Sequence, residues 1–312
     1  MTESGKRDKI IPSNPMVSVA NKEKSMKIRV VSDSSSNLFH VDGFDYITVP
    51  MKILAGQTEY VDKPGISTRQ MVDDLKVFKG KSGSSCANAG EWLEAFEGAD
   101  AVFAITISKN CSGSYNAASS AAREYMEEKP GSQVFVVDSL TAGPGMAMIV
   151  EKLRELISQG LEFEQIKERI LDYQNHTHTV FSLKSVNNLV HNGRVSHVAG
   201  KIVAALNMRV IGYAKGGKLE MAHKPRGDKK AVETILRMMG ERGFYDGALV
   251  RISQCFQEEV AGILKEQICA KYPASPVIIE PTTALCSYYA EEGGLIVGFE
   301  GAFNTENDNH LF

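Results

Sequence analysis

The chain has 312 residues, of which 43% are hydrophobic and 23% charged, enough apolar content for a large core. Disorder over most of the chain is excluded, and the length suits roughly two or three domains. The 35 Lys and Arg stand against 38 Asp and Glu, a formal net charge of −3, so no broad basic field is left for a nucleic-acid backbone.

Met1 to Lys27 carries six Lys/Arg, three Asp/Glu and two prolines without an apolar run. It reads as a flexible tail over residues 1–25 and not as a signal peptide. Lys27 to Ser32 alternates and is β-branched, a first strand that ends in the cap-like cluster Asp33-Ser-Ser-Ser-Asn37. Tyr46 to Leu54 reads as one strand interrupted by Pro50, which should sit at an edge or bulge. Ser67-Thr-Arg-Gln70 opens a helix through Phe78, Gly80 to Ser85 reads as a flexible loop, and Asn88 with Glu91 starts another helix.

Val102 to Ile107 and Gln133 to Val137 are apolar runs of strand length, which implies burial on both faces. Helices are expected over Ser112–Lys129, Gly145–Gln159 and Phe163–Gln174. This β-α-β-α alternation predicts a parallel sheet with helices on both faces. Beyond residues 170–177 the pattern changes. His178–Ser182 is a short strand, Val195–Leu206 a helix, and Arg209–Ala214 with Leu219–His223 a hairpin around Gly216-Gly217. Helices over Asp228–Arg242 and Gln257–Lys271 alternate with strands over Ala248–Ile252, Val277–Glu280 and Leu295–Phe299.

Five cysteines, at 86, 111, 255, 269 and 286, form no C-x-x-C pair and are odd in number. That argues against a disulfide scaffold or a Cys-rich zinc site and fits a reducing cytoplasm. No apolar run approaches the ~18–20 residues needed to span a bilayer, so no stable membrane insertion is expected. Gly212 to Lys218 has the glycine and lysine spacing of a phosphate loop, but Leu219 stands where the magnesium-binding hydroxyl should be. A plain hairpin turn is the better reading. His176 and His178 lack a third ligand nearby and read as ordinary surface histidines.

Two serine-rich loops carry more information: Gly83-Ser84-Ser85-Cys86-Ala87-Asn88, and Ser108-Lys-Asn-Cys-Ser112-Gly113-Ser114-Tyr115. The second lies between a buried strand and a helix, where ligands of open parallel sheets gather. Free N–H groups and the dipole of the helix start suit a carboxylate or phosphate there. Equally, Ser112 could only cap its helix while Gly113 relieves a turn. No His or acid pair flanks these serines in sequence to activate one as a nucleophile, so the site reads as a holder more than a reactor.

Several blocks then match a known pattern. They are Ile28 to Ser34, Ser84 to Asn88, Ser112-Gly113-Ser114-Tyr115, Asp138-Ser139, Asn192-Gly193-Arg194-Val195-Ser196, and Arg226-Gly227 after the hairpin. Their order and spacing resemble the DegV family of bacterial fatty-acid-binding proteins, which includes the FakB proteins, over nearly all of residues 27–300. The resemblance implies an α/β chain with the two-domain DegV-like (EDD) fold. A parallel-sheet N-terminal domain over 26–172 would carry the serine loops, followed by a second, mixed α/β domain over 173–312.

It further implies a bound long-chain fatty acid and no other cofactor or metal. The head-group candidates are Ser84, Ser85, Ser112, Gly113, Arg226 and Tyr289. In the FakB branch a separate fatty acid kinase phosphorylates the bound acid's carboxylate, so the binding protein is a carrier without catalytic residues. This chain departs from the family at Tyr289 to Gly293 and at Ser253, where family histidines are common, and at Cys86-Ala87. A tyrosine can still bond a carboxylate, though without positive charge at neutral pH. The alternative is a serine-dependent hydrolase or acyl- or phosphoryl-transfer enzyme on the same scaffold. A general base within reach of Ser84 or Ser112 would favour it.

Overall fold

The computed structural model describes residues 1, 26–195 and 207–305. The expected tail over 1–25 and nearly all of the expected helix over Val195–Leu206 lie outside the described residues. Within them, four parallel strands form the first sheet in the order β2 (Tyr46–Val49), β1 (Ile28–Asp33), β6 (Ala101–Thr106), β7 (Gln133–Asp138). Every residue of β6 is buried, as its unbroken apolar run requires of a central parallel strand.

Helices α2 (Ala89–Phe96) and α3 (Ser114–Glu128) cover one face, burying Trp92, Phe96 and Tyr125. Helices α4 (Pro144–Ser158) and α5 (Phe163–Asn175) cover the other, with Phe163 stacked on Phe103 at 4.5 Å. The start of α2 is a full capping box: Glu91 N donates to Asn88 Oδ1 at 3.0 Å and Asn88 N to Glu91 Oε2 at 2.8 Å. Ser67 caps α1 (Thr68–Val77) where its spacing placed it, accepting from Gln70 N at 3.2 Å.

The second sheet has six strands in the order β10 (Lys218–His223), β9 (Val210–Lys215), β8 (Thr177–Leu183), β13 (Leu295–Glu300), β11 (Val250–Gln254), β12 (Val277–Pro281). Only β11 and β12 pair in parallel, so the sheet is mixed. Helices α7 (Asp228–Glu241) and α8 (Glu258–Lys271) pack their apolar sides on it. Helix α4 touches both sheets, and Pro144 to Val150 is buried all round, as a helix between two layers must be. Where α4 crosses β13, a Cβ on Gly298 would stand 2.7 Å from Gly145 N, so the strand has no room for a side chain there.

Two expectations are corrected and a third is met. Tyr46 to Leu54 is not one strand: Pro50 separates β2 from β3 (Lys52–Ala55), which belongs to a third sheet with β4 (Thr58–Val61) and β5 (Ser82–Ser85). A residue without an N–H marks the place where the chain leaves one ladder for another. Gly80 to Ser85 is not wholly loop: Ser82–Ser85 pairs antiparallel with β3, Ser84 opposite Ile53. The partner strand overrides the poor β-propensity of Gly and Ser. Gly216 and Gly217 form the two-residue turn of β9–β10 with φ of +50° and +76°, the doubly positive geometry of a tight hairpin and not a phosphate loop. Two short helices escaped the sequence reading, α6 (Asn187–His191) and α9 (Ala284–Ala290).

Candidate functional site

A cavity with about 890 Å³ of atom-free space, part of it open to solvent, lies where β1, β6 and β7 end against the second sheet. From the first sheet come Ser35, Ile107, Ser108, Cys111, Ser112, Leu140 and Thr141; from β8, Thr179, Phe181 and Leu183. The hairpin adds Ala214, Gly217 and Leu219, and α9 adds Leu285, Cys286, Tyr289 and Ala290. The walls are mostly aliphatic, sulfur or aromatic.

The guanidinium and the phenol among the lining residues stand together. Ser84 and Tyr289 join hydroxyls at 2.7 Å, and the Arg194 guanidinium lies 5.7 Å from the Tyr289 ring centroid. Arg194 Nε donates to Cys111 O at 3.2 Å, and its Nη1 donates to Asn192 O, so this cation is held against the second serine loop. Burial pushes the Tyr289 hydroxyl above its ordinary pKa and keeps it a donor. Strand alternation puts Ser84 on the cavity face and Ser85 on the other. Ser112 lines the cavity, and its Oγ accepts from Ser114 N at 3.3 Å. The N-cap of α3 is Gly113 itself, exposed, with no side-chain cap and no acid in the first turn.

Arg226 stands elsewhere: exposed, bridged to Met208 just before α7, and not among the residues lining this cavity. Arg194 occupies the cavity wall instead. The sequence did carry a signal for it, since it belongs to the Asn192-Gly-Arg block, but nothing in one dimension chooses between two arginines near glycines.

Two buried carboxylates seat the loops. Asp33 accepts from Ile107 N at 2.9 Å, Ser114 Oγ at 2.6 Å, Ser35 N at 3.2 Å and Ser35 Oγ. Asp62, at the end of β4, accepts from Ala284 N at 2.8 Å, Leu285 N at 3.1 Å and Thr283 Oγ1 at 3.1 Å, fixing the start of α9. The hairpin tip is tied down as well: Ser108 Oγ donates to Gly217 O at 2.6 Å and Asn110 Nδ2 to Gly216 O at 2.8 Å. A Cβ on Gly217 would collide with Ser108 Oγ at a positive φ. Gly217→Ala should therefore lower stability by about 1–2 kcal/mol or more, read by chemical denaturation; an unchanged midpoint would show that the tip does not bear on the loop.

Neither serine is set up as a nucleophile among the described residues. The Ser84 hydroxyl is paired with a phenol and the Ser112 hydroxyl with a backbone N–H, neither of which is a nucleophile–base pair. Burial pushes the Cys111 thiol up to about 11, far from a thiolate at neutral pH. No helix among the described residues is long and apolar enough to cross a membrane.

Comparisons with known proteins agree with this architecture. The family model described as "Uncharacterised protein, DegV family" matches residues 27–300. A DegV domain-containing protein of Streptococcus pneumoniae R6 is 39% identical over 256 residues, covering 82% of this chain and 91% of its own. Two solved structures superpose with a TM-score of 0.86 at 37% identity, over 88% of this chain and 99% of theirs. One is a DegV family protein from Eubacterium eligens loaded with heptadecanoic acid; the other is the S. pneumoniae Fatty Acid Kinase (Fak) B3 protein loaded with linoleic acid. On a family match over most of its length and relatives of this similarity, the chain belongs to the DegV family.

Proposed function

We propose that this protein binds a long-chain fatty acid non-catalytically, burying the acyl chain in the cavity between the sheets. Its carboxylate would rest among Ser84, Ser112, the start of α3, Tyr289 and Arg194. The observation that carries this reading is the cavity's lining: mostly aliphatic, sulfur or aromatic walls, with one guanidinium held beside the Ser84–Tyr289 hydroxyl pair and the second serine loop. The loaded relatives support it, as their ligands are one long acyl chain each.

Magnitudes agree. Burying about 15 methylenes gives roughly 12 kcal/mol gross at ~0.8 kcal/mol each. Association and ordering offset a large part of this, leaving room for a complex that survives purification. A protein that only holds the acid leaves its carboxylate to another catalyst, and presentation to a fatty acid kinase is the role we assign, in the cytoplasm, where five free cysteines stay reduced. The test is to denature the purified protein, extract it and identify the lipid by mass spectrometry. An acyl chain is expected; finding none, and no uptake of added fatty acid by the refolded protein, would overturn the reading.

A further inference from the structure

One part of the cavity wall is a pair of hydroxyls, Thr141 and Thr179. Strand β8 lines it with alternate residues, Leu183, Phe181 and Thr179, and Leu183 packs beside Leu189, whose carbonyl accepts from Arg194 N at 2.8 Å. Along β8 the wall from Leu183 to Thr179 spans about 14 Å at ~3.4 Å per residue. There Thr179 Oγ1 and Thr141 Oγ1 are hydrogen-bonded at 2.7 Å.

Behind the pair lies a second, smaller space, which shares Leu140, Thr141, Thr179 and Ala214 with the main cavity. Its remaining walls, Ser139, Thr177 and Asn304, are polar, and it has room for about one water molecule. An alkyl end pushed into it would leave oxygen atoms facing a methyl group in place of water. The threonines cannot retreat either. A Cβ on Gly145 would collide with Thr179 Oγ1 and stand 2.8 Å from Thr141 Oγ1, so the pair already presses on the backbone of α4.

We propose that the Thr141–Thr179 pair is the end-stop of the acyl channel and sets the longest chain the protein accepts. The proposal rests on the fatty-acid reading above and adds its specificity. Chains short of the stop gain about fourfold in affinity per methylene, the equivalent of ~0.8 kcal/mol. Chains that meet it lose that increment and must bend.

The test measures affinities of the delipidated protein for saturated acids from lauric to behenic. The parent should show an optimum with a fall beyond it. Thr179→Ala removes part of the stop, and the optimum should move to a longer acid, whose affinity rises about fourfold or more over the parent. Ala214→Leu fills the same end from β9, one step along the ladder from Tyr213 opposite Val180, and should move the optimum to a shorter acid. Because the two act in opposite directions, either alone decides the point if the other does not fold. Binding that persists with an unmoved optimum, or one displaced the same way by both, overturns the end-stop alone. A parent that takes up none of the acids overturns the fatty-acid reading and the end-stop with it.

Discussion

Arg194→Ala is expected to weaken fatty-acid binding by about ten- to a hundred-fold while leaving the lipid-free protein close to its parental melting temperature. A hydrogen bond to a charged group contributes roughly 1.5–3 kcal/mol, and about 1.4 kcal/mol is tenfold in affinity. The guanidinium is positioned for that role by Cys111 O and Asn192 O, and it lies over the Tyr289 ring. The methyl ester of the same acid should separate charge recognition from packing, since an ester gives the guanidinium no anion. Arg194→Ala should therefore weaken ester binding much less than acid binding. Ser112→Ala should behave in the same way. Arg226→Ala, on an exposed turn away from the cavity, should stay within about twofold of the parent for both ligands, a change of under ~0.5 kcal/mol. Equal losses for acid and ester in Arg194→Ala, or a larger loss in Arg226→Ala, would move the head group away from the site assigned to it.

The difference between these two arginines shows where reading the sequence stops. What was legible followed from local rules: β6 is an unbroken apolar run and is buried throughout, and the Asn88–Glu91 cap lies where its spacing placed it. The parallel sheet followed from alternation of such runs with helices. The serine loops were legible because they stand between strand ends and helix starts. Strand β5 was not legible, since Ser82-Gly-Ser-Ser85 has no apolar alternation and exists through its pairing with β3. Helix α9 was not either; seven residues give too few turns for a periodic signal, and its start is capped by Asp62 from another part of the chain. Thr141 follows β7 in the first sheet and Thr179 lies on β8 in the second, and they meet only because α4 holds the two sheets against each other.

Asp33→Ala should destabilise the protein by about 3–5 kcal/mol, measured by chemical denaturation, and should abolish tight fatty-acid binding. The carboxylate is fully buried and accepts from two backbone and two hydroxyl donors, which tie Ser35, Ile107 and Ser114 together beneath the cavity. Removing the acceptor strands several donors at ~1–3 kcal/mol each, and it frees the loop that presents Ser112. Asp33→Asn keeps the shape and isolates the charge. Burial raises the Asp33 pKa above its ordinary value, against the lowering effect of those hydrogen bonds. A carboxyl with a raised folded pKa binds its proton more tightly in the native state than in the unfolded one. Its ionisation therefore burdens the folded state at neutral pH, and that burden lifts as pH falls through the raised folded pKa toward the unfolded value near ~3.9. The amide of the Asp33→Asn variant does not titrate. The stability of the parent relative to Asp33→Asn should thus rise as pH is lowered from neutral toward about 4. A relative stability that instead falls on acidification would mean that the four hydrogen bonds outweigh burial and hold Asp33 as a low-pKa carboxylate.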